Sequence, residues 1–535
     1  MSRSVAALAV VLCGLLPGLG FREGEAAPPS GASSVLSGVA VPTLLQHLAS
    51  SANPEGIGIP GNAFTVNLPN PVRAGNCLVL GITYPFAAGR AVTVADNNRN
   101  AWPSAPAARA SRGVGYDSAV YVLPNANAGG TRITVTFDAA VIPFQFTVSE
   151  FDGVATVSPV SGSSQTAFAL GPNLSSGTFT PGNNDAGGGN LVWAYFAPAL
   201  VASSNPTTWT AGTNFDLLDA DIAWNTNQGF PHASEYFVQT LAAPINPSIR
   251  ATDDAFDFYN SVSVALRAKP AGTAPPSGVR IVRVNHMTSN VPPANATWKL
   301  QFPTSGNLIV LATHENFVID VASVTDSAGN VYTKREPDPT EPQIWHTANS
   351  TASNALMITL TISGTPATAT IVAYDVAGAD PNPFDVAAGV PSTAVGSSLT
   401  HISDAPVITP TTPGGLVIAV TSLGQGPGRG LDVGAPAGAS FDLATYAGET
   451  DLDLMENADL KGHLNNPDTA TEHWNWVITA TGDNSFSSVA VAFKGGPALP
   501  TTFGDCKRDG WQRFAVFKNE GDCVSFVATQ GRNSP

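Results

Sequence analysis

Charge is scarce in this chain, and positive charge is scarcer still. Only 12% of its 535 residues are Asp, Glu, Lys or Arg, and 24 Lys and Arg stand against 40 Asp and Glu, a formal charge of −16. A typical soluble domain carries about 25% charged residues, so Ser, Thr, Asn and Gly must cover most of the surface. The negative balance repels nucleic-acid phosphates and anionic headgroups, which argues against both as partners. Past the N-terminus no apolar run reaches the roughly 18 residues that span a bilayer, so no membrane span is expected. G-x-S-x-G, H-E-x-x-H, Walker and C-x-x-C patterns are absent, and with them the common hydrolase, protease, nucleotide and zinc signatures. GQGPGRG, after the strand-like LVIAVTS, has no following helical pattern and reads as a turn.

Met1, Ser2 and Arg3 precede the apolar run VAALAVVLCGLLPGLG and a small-residue stretch ending in Ala26 and Ala27. That is the layout of a secretory signal over residues 1–27, with cleavage expected near Ala26. Cys13 would suit a lipoprotein, but Leu12 before it is larger than lipidation signals accept. Three cysteines then remain. Cys506 and Cys523 are close enough to pair in an oxidising compartment, while Cys77, inside GNCLVLGITY, reads as a small core residue.

The chain matches itself. GNCLVLGITY answers to GNLIVLATHE, VTVADNNRNAW to VASVTDSAGNVY, TRITVTFDAAVIPFQFTVSEFDGV to ALMITLTISGTPATATIVAYDVAG, and GGGNLVWAYFAP to PGGLVIAVTSLG. The offset is nearly constant and far longer than the roughly 20 to 50 residues of a solenoid repeat, so a whole domain is duplicated. Apolar residues alternate over short stretches such as TRITVTFD and SVAVAFK, Gly and Pro number 51 and 43, and no helical stripe is capped at both ends. The expected fold is all-β: two tandem antiparallel β-sandwich domains, jelly-roll-like, over residues 36–268 and 280–495. A Pro- and Gly-rich linker occupies 269–279, and a small disulfide-linked tail spans 496–535.

The second copy carries Val324, Thr325, Asp326, Gly329, Asn330 and Tyr332; the first has Arg99 in place of the glycine and Trp102 in place of the tyrosine. This V-T-D-x-x-G-N-x-Y turn, following a GNLLVL-like strand, resembles a loosely defined group of large secreted bacterial proteins. The tail, with Cys506, Gly510, Trp511, Phe514, Phe517, Lys518, Asn519, Gly521 and Cys523, resembles a short module that ends many secreted bacterial proteins. Both resemblances imply an extracellular setting and neither implies an activity.

Candidate sites are few. Asp219 and Asp221, like Asp451 and Asp453, are two residues apart and share a face if extended. They read as solvated loop residues or as Ca²⁺ ligands, Ca²⁺ being the one cofactor the sequence suggests. Asp96 with Asn100, and Asp326 with Asn330, offer the same chemistry but suit hairpin turns better. His47 and His286 match in the alignment of the copies, as do Glu235 and Glu472. Paired carboxylates of that kind could cleave glycosides. Trp224, Tyr236, Trp474 and Trp476 offer flat faces for a sugar ring, or core side chains on alternating strands. The expectation is a secreted or cell-surface binding or adhesion protein whose partner is a glycan or another protein. A structural surface spacer and a carbohydrate-active hydrolase or lyase are the alternatives, and catalysis is the less favoured.

Overall fold

A computed structural model describes residues 42–51, 61–130, 132–141, 145–182, 190–200, 206–222, 231–239, 242–253, 257–269, 278–289, 297–315, 320–335, 342–363, 369–386, 392–398, 401–402, 407–424, 431–432, 457–465, 471–473, 476–478, 484–496, 503–507, 510–511 and 517–528. These residues are overwhelmingly strand, and they build four sandwiches, two in each copy of the repeat.

The first sandwich comprises β1 (Thr43–Ser51), β2 (Gly61–Asn67), β3 (Cys77–Pro85), β4 (Val92–Asp96), β5 (Ala108–Ala110), β6 (Tyr116–Leu123), β7 (Arg132–Val141) and β8 (Gln145–Asp152). Its larger sheet runs β1-β8-β3-β6-β5 and its smaller one β2-β7-β4. The second comprises β9 (Val160–Leu170), β10 (Asn173–Ser175), β11 (Asn190–Pro198), β12 (Thr208–Thr210), β13 (Asp216–Ala220), β14 (Ala233–Val238), β15 (Ser248–Thr252) and β16 (Phe258–Arg267). Its sheets, β9-β16-β11-β14-β13 and β10-β15-β12, repeat the same order strand for strand.

The third sandwich comprises β17 (Arg280–Ser289), β18 (Thr297–Thr304), β19 (Leu308–Glu315), β20 (Asp320–Asp326), β21 (Thr333–Lys334), β22 (Gln343–Thr347), β23 (Ser353–Ser363) and β24 (Ala369–Ala377), and has the same order again. The fourth has β25 (Ala379–Phe384), β26 (Ser392–Ser398), β27 (His401–Ile402), β28 (Val407–Ile408), β29 (Leu416–Gly424), β30 (Leu431–Asp432), β31 (Asn457–Asn465), β32 (Glu472–His473), β33 (Trp476–Ile478) and β34 (Asn484–Gly495). There β34 lies between β29 and the split first strand, β25 and β26. A first strand beside the eighth and the third beside the sixth is the double Greek key of a jelly roll. The jelly-roll expectation therefore holds, with each copy made of two sandwiches instead of one.

Within a copy, the larger sheets of the two sandwiches pack face to face. On β3 the pleat sends Leu78, Leu80 and Ile82 into the first sandwich, while Cys77 and Val79 meet Trp193, Tyr195, Val262 and Val264 of the second. A strand buried on both faces needs no polar alternation, which is why GNCLVLGITY and NLVWAYFAP are nearly continuous apolar runs. Gly81 faces this seam: a Cβ there would lie 2.8 Å from the Trp193 ring and 3.1 Å from Tyr195. The asparagine that opens the run is also used twice. Asn76 donates to Glu150 on β8 and Asn307 to Asp375 on β24, which anchors the third strand to the eighth.

The copies are joined through their first strands. β1 pairs in parallel with β17, His47 opposite Arg283, making one ten-stranded sheet. Parallel pairing of two like strands at like edges turns one sheet over relative to the other. The interior face of the first sandwich accordingly continues into the face of the third that packs on the fourth, where Val310 and Tyr374 meet Ile418 and Val491. A second tie is polar: Gln301 accepts from the Trp209 backbone N–H at 2.8 Å and donates to its carbonyl at 2.7 Å. The ends of the linker are built in as well. Ala268 bridges to Val154, and Lys269 N–H donates to the Gly153 carbonyl.

The tail holds two short helices, α1 (Phe503–Cys506) and α2 (Glu520–Ala528), that sequence periodicity does not reveal. Asn519 caps α2 by accepting from Asp522 N–H at 2.9 Å. Cys506 and Cys523 are joined by a disulfide over which Phe517 and Phe526 pack. So small a core needs that staple. Non-reducing peptide mapping is expected to recover this one linked pair, and reduction to release the tail at a cost of about 3 kcal/mol for its 17-residue separation. Native Cys77 is expected to resist maleimide, since it is buried and burial pushes its thiol pKa far up; labelling of Cys77 without unfolding would contradict the packing of β3.

Candidate functional site

Of the described sequence candidates, Asp219 and Asp221 lie beside buried histidines at the seam between the first and second sandwiches, and both are buried. Asp219 follows a register shift on β13, opposite Ser234 of β14, and is fully buried. Its Oδ2 lies 2.9 Å from His47 Nε2 and accepts from Thr147 Oγ1 at 2.8 Å and Ser234 Oγ at 3.0 Å. Its Oδ1 accepts from the Ser234 backbone N–H. Across the ring, His47 Nδ1 is 2.8 Å from Ser149 Oγ, which itself accepts from the Trp193 indole N–H at 3.0 Å.

Burial alone would push the Asp219 carboxyl up. The His47 hydrogen bond, the His232 and His47 charges and the Thr147 hydroxyl outweigh it and hold the group well below the usual carboxylate range. Asp221, two residues on, has its Oδ2 3.6 Å from His232 Nδ1, while His232 Nε2 is 4.0 Å from Asp219 Oδ2. The pair expected to share a face as loop residues or Ca²⁺ ligands instead brackets a buried histidine. Among the described residues no three His, Cys, Asp or Glu side chains converge as a metal site.

Ser149, His47 and Asp219 have the connectivity of a nucleophile, its base and an orienting acid. All three are inaccessible to solvent, and the serine oxygen is already engaged by Trp193. The strand register leaves them between two ladders, with Ser149 opposite both His47 and Val79. No substrate atom can approach Ser149, so the arrangement neutralises a buried carboxylate and fastens two sheets.

Glu235 lies on the other face of β14, inside the second sandwich, and is also fully buried. Its Oε2 accepts from Gly212 N–H at 2.8 Å. Burial raises its carboxyl pKa to about 8, against the smaller opposing effect of the Gly212 and Ser248 backbone amides, so it is protonated at neutral pH. Tyr236, its neighbour, points to the seam and packs on Phe151 at 5.6 Å. Glu472 does not match Glu235 in space. It lies on β32, paired with Ile408 of β28, whereas Glu235 is on a sixth strand. His286 does not match His47 either: His47 faces Ser149 beside the acid Glu150, and His286 faces Val372, three residues before Asp375. Trp476 is on β33, opposite Ile402. Trp224, Trp474, Asp451 and Asp453 lie outside the described residues.

The Asp residues do close local turns, as expected, but the turns are not hairpins: β4 pairs with β7 and β20 with β23, and each turn carries the chain across to a strand of the larger sheet, β5 or β21. Asp96 Oδ1 accepts from Asn98 and Asn100 N–H, and its Oδ2 from Asn100 Nδ2 and the Trp102 indole at 2.8 Å. Asp326 repeats this with Ala328, Asn330 and the Tyr332 hydroxyl at 2.9 Å. Tryptophan replaces tyrosine without loss because either one donates to the same oxygen. Arg99, at φ +55°, adopts the left-handed turn that Gly329 takes at +77°.

The seam of the second copy is built differently. There His346 stacks on Phe384 and meets Phe493 at a tilt, and burial followed by the Arg335 charge lowers its pKa to about 4, keeping it neutral.

No family model matches the chain, and no curated protein matches it. Among solved structures, a protein described under "The Triple Jelly Roll Fold and Turret Assembly in an Archaeal Virus" is 10% identical. The alignment covers 63% of this chain and 90% of that one, with a TM-score of 0.13. That score carries no argument, and the fold assignment rests on strand order. Among the described residues no helix is long and apolar enough to cross a membrane.

Two outcomes follow from these environments. Asp219→Ala leaves His47 facing an empty site and is expected to cost about 3 to 5 kcal/mol in urea unfolding. Its contribution is present above the ordinary carboxylate range and is lost only in strong acid, as pH falls through the depressed folded-state pKa. Glu235 behaves oppositely. Its folded pKa lies above the unfolded one, so the native state holds the extra proton and stability falls as pH rises from about 4.5 to about 8. Glu235→Gln is expected to flatten the unfolding midpoint over that window; an unchanged slope would show that Glu235 does not titrate there.

Proposed function

We propose that the chain is a non-catalytic, extracellular binding or adhesion protein whose four sandwiches form a rigid support for surface loops. The observation that carries this reading is the fate of the acids. Asp219, Asp221 and Glu235, the described carboxylates best suited to acid–base chemistry, are buried and held by neighbouring side chains and backbone amides. An extracellular site for the chain agrees with its signal-like start, its paired tail cysteines and its Ser-, Thr- and Asn-rich exterior. A structural spacer uses the same scaffold without a ligand.

The full chain is expected to be retained on at least one extracellular polysaccharide or surface protein without releasing reducing sugar. Release of reducing ends that disappears in Asp219→Asn or Glu235→Gln would make it an enzyme. No retention on any polymer or surface protein would make it a spacer.

A further inference from the structure

The strand arrangement that joins the two copies recurs, without a partner strand, at the outer side of the first seam. The first and second sandwiches are related by a rough two-fold. β1 lies across the seam from β13, where His47 meets Asp219, and β9 lies across it from β5, where Ala167 packs with the cluster holding Ala108 and Ala110. First strand thus covers fifth strand on both sides of the seam. On one side β1 is paired with β17 of the other copy. On the other, β9 pairs only with β16 among the described residues.

β9 matches the joined strands in detail. The bulge that falls at Leu45 in β1 and at Val282 in β17 falls at Ser161 in β9, between the pairs Val160–Leu266 and Gly162–Ala265. Where the copies join, pairing follows directly after the bulges, with His47 opposite Arg283 and Leu48 opposite Val284. The matching stretch of β9 is 162–166, a straight ladder on β16 that ends at a second bulge before Ala169. The carbonyls beside the first bulge are closed alike: Gly182 N–H donates to Ser161, as the Asn70 amide donates to Ile281 at 2.7 Å.

β9 also lacks what guards other edges. The ten-stranded sheet ends in β5 and β21, only three and two residues long, too short to template another strand. β9 runs for eleven residues, VSGSSQTAFAL, without a charge or a proline, and Ser163 and Gln165 are exposed along it. Such an edge offers its backbone N–H and C=O groups to an incoming strand.

The strand that fits holds in the second copy the place that β9 holds in the first. It is the split first strand of the fourth sandwich, whose longer ladder is β26, seven residues without charge or proline that pair only with β34 among the described residues. β9 lies at the β5 end of the ten-stranded sheet. Across the second seam β29 faces β19 and β34 faces β22, so β26, the next strand out, falls at the β21 end. With the two edges at opposite ends of one sheet, the partner of β9 is the β26 of a second copy of the chain.

We infer that the chain assembles head to tail, the β9 edge of one molecule pairing with the β26 edge of the next as β1 pairs with β17 within the molecule. Such a contact is heterologous: each added molecule presents a fresh edge, and the product is an open row of molecules. The inference goes beyond the binding reading and requires no ligand.

Sedimentation velocity of the full chain over a rising concentration series tests it. Species larger than dimers are expected to grow with concentration, and amide hydrogen exchange to slow at 162–166 and 392–398 as they form. The double variant Ser163→Lys with Gln165→Lys sets charge along an exposed edge and is expected to weaken assembly at least tenfold, with thermal unfolding unchanged. It keeps β26, so mixed into the wild type it is expected to cap the rows and shorten them. A monomer at every concentration would overturn the inference, as would assembly of the variant at wild-type strength. A closed dimer that the variant does not join would set β9 against β9 and overturn it too. The exchange measurement uses the wild type alone, and assemblies that protect neither segment would overturn the inference whatever the variant does.

Discussion

The larger sheet of each sandwich is buried on both faces, and most of the molecule follows from that. One face closes a jelly-roll interior and the other meets the partner sandwich, so third and eighth strands such as β3, β8, β11 and β16 have no water on either side. Any polar atom placed there must be satisfied by protein. The His47–Asp219–Ser234 network and the Tyr195 hydroxyl, 3.0 Å from Thr83 Oγ1, are the local solutions at one seam. At the other, His346 is kept neutral beside two phenylalanines. Two copies of one ancestral layout thus meet the same constraint with different chemistry.

That constraint also separates what could be read from the sequence from what could not. Strand character, the duplication, the tail disulfide and the Asp96 and Asp326 turns rest on local signals: period-two alternation, self-matching and short-range spacing. The division of each copy into two sandwiches is also written locally, in a recurring glycine-led, apolar strand start: Gly75-Asn76-Cys77-Leu78, Gly189-Asn190-Leu191-Val192, Gly306-Asn307-Leu308-Ile309 and Gly414-Gly415-Leu416-Val417. It is easily missed because the second-sandwich segments between those starts diverge from the first. The seam could not be read. Asp219 reaches His47 across 172 residues of chain and Ser149 reaches His47 across 102, and nothing near any of the three announces the others.

The two histidines and two glutamates that aligned between copies show a further limit. The strands β1 and β17 carry their bulges, Leu45 and Val282, at equivalent places, so His47 answers to Val284 and the histidine that matches by eye falls two positions further on. A bulge in β9 sets Phe168 in the left-handed region, which apolar patterning does not record either. Register shifts therefore decide which side chains the fold hides and which it displays.

The parallel pairing of β1 with β17 has a consequence beyond the joining of the copies. Because like strand meets like strand, the edge is self-complementary: a single copy would carry the surface needed to recognise another of itself, as the subunits of an isologous dimer do. The tandem chain is in effect such a dimer with its two subunits fused. Fusion satisfies the edge within one molecule, at a one-to-one ratio set by covalent linkage, and removes an open β edge of the kind that drives uncontrolled strand addition between molecules.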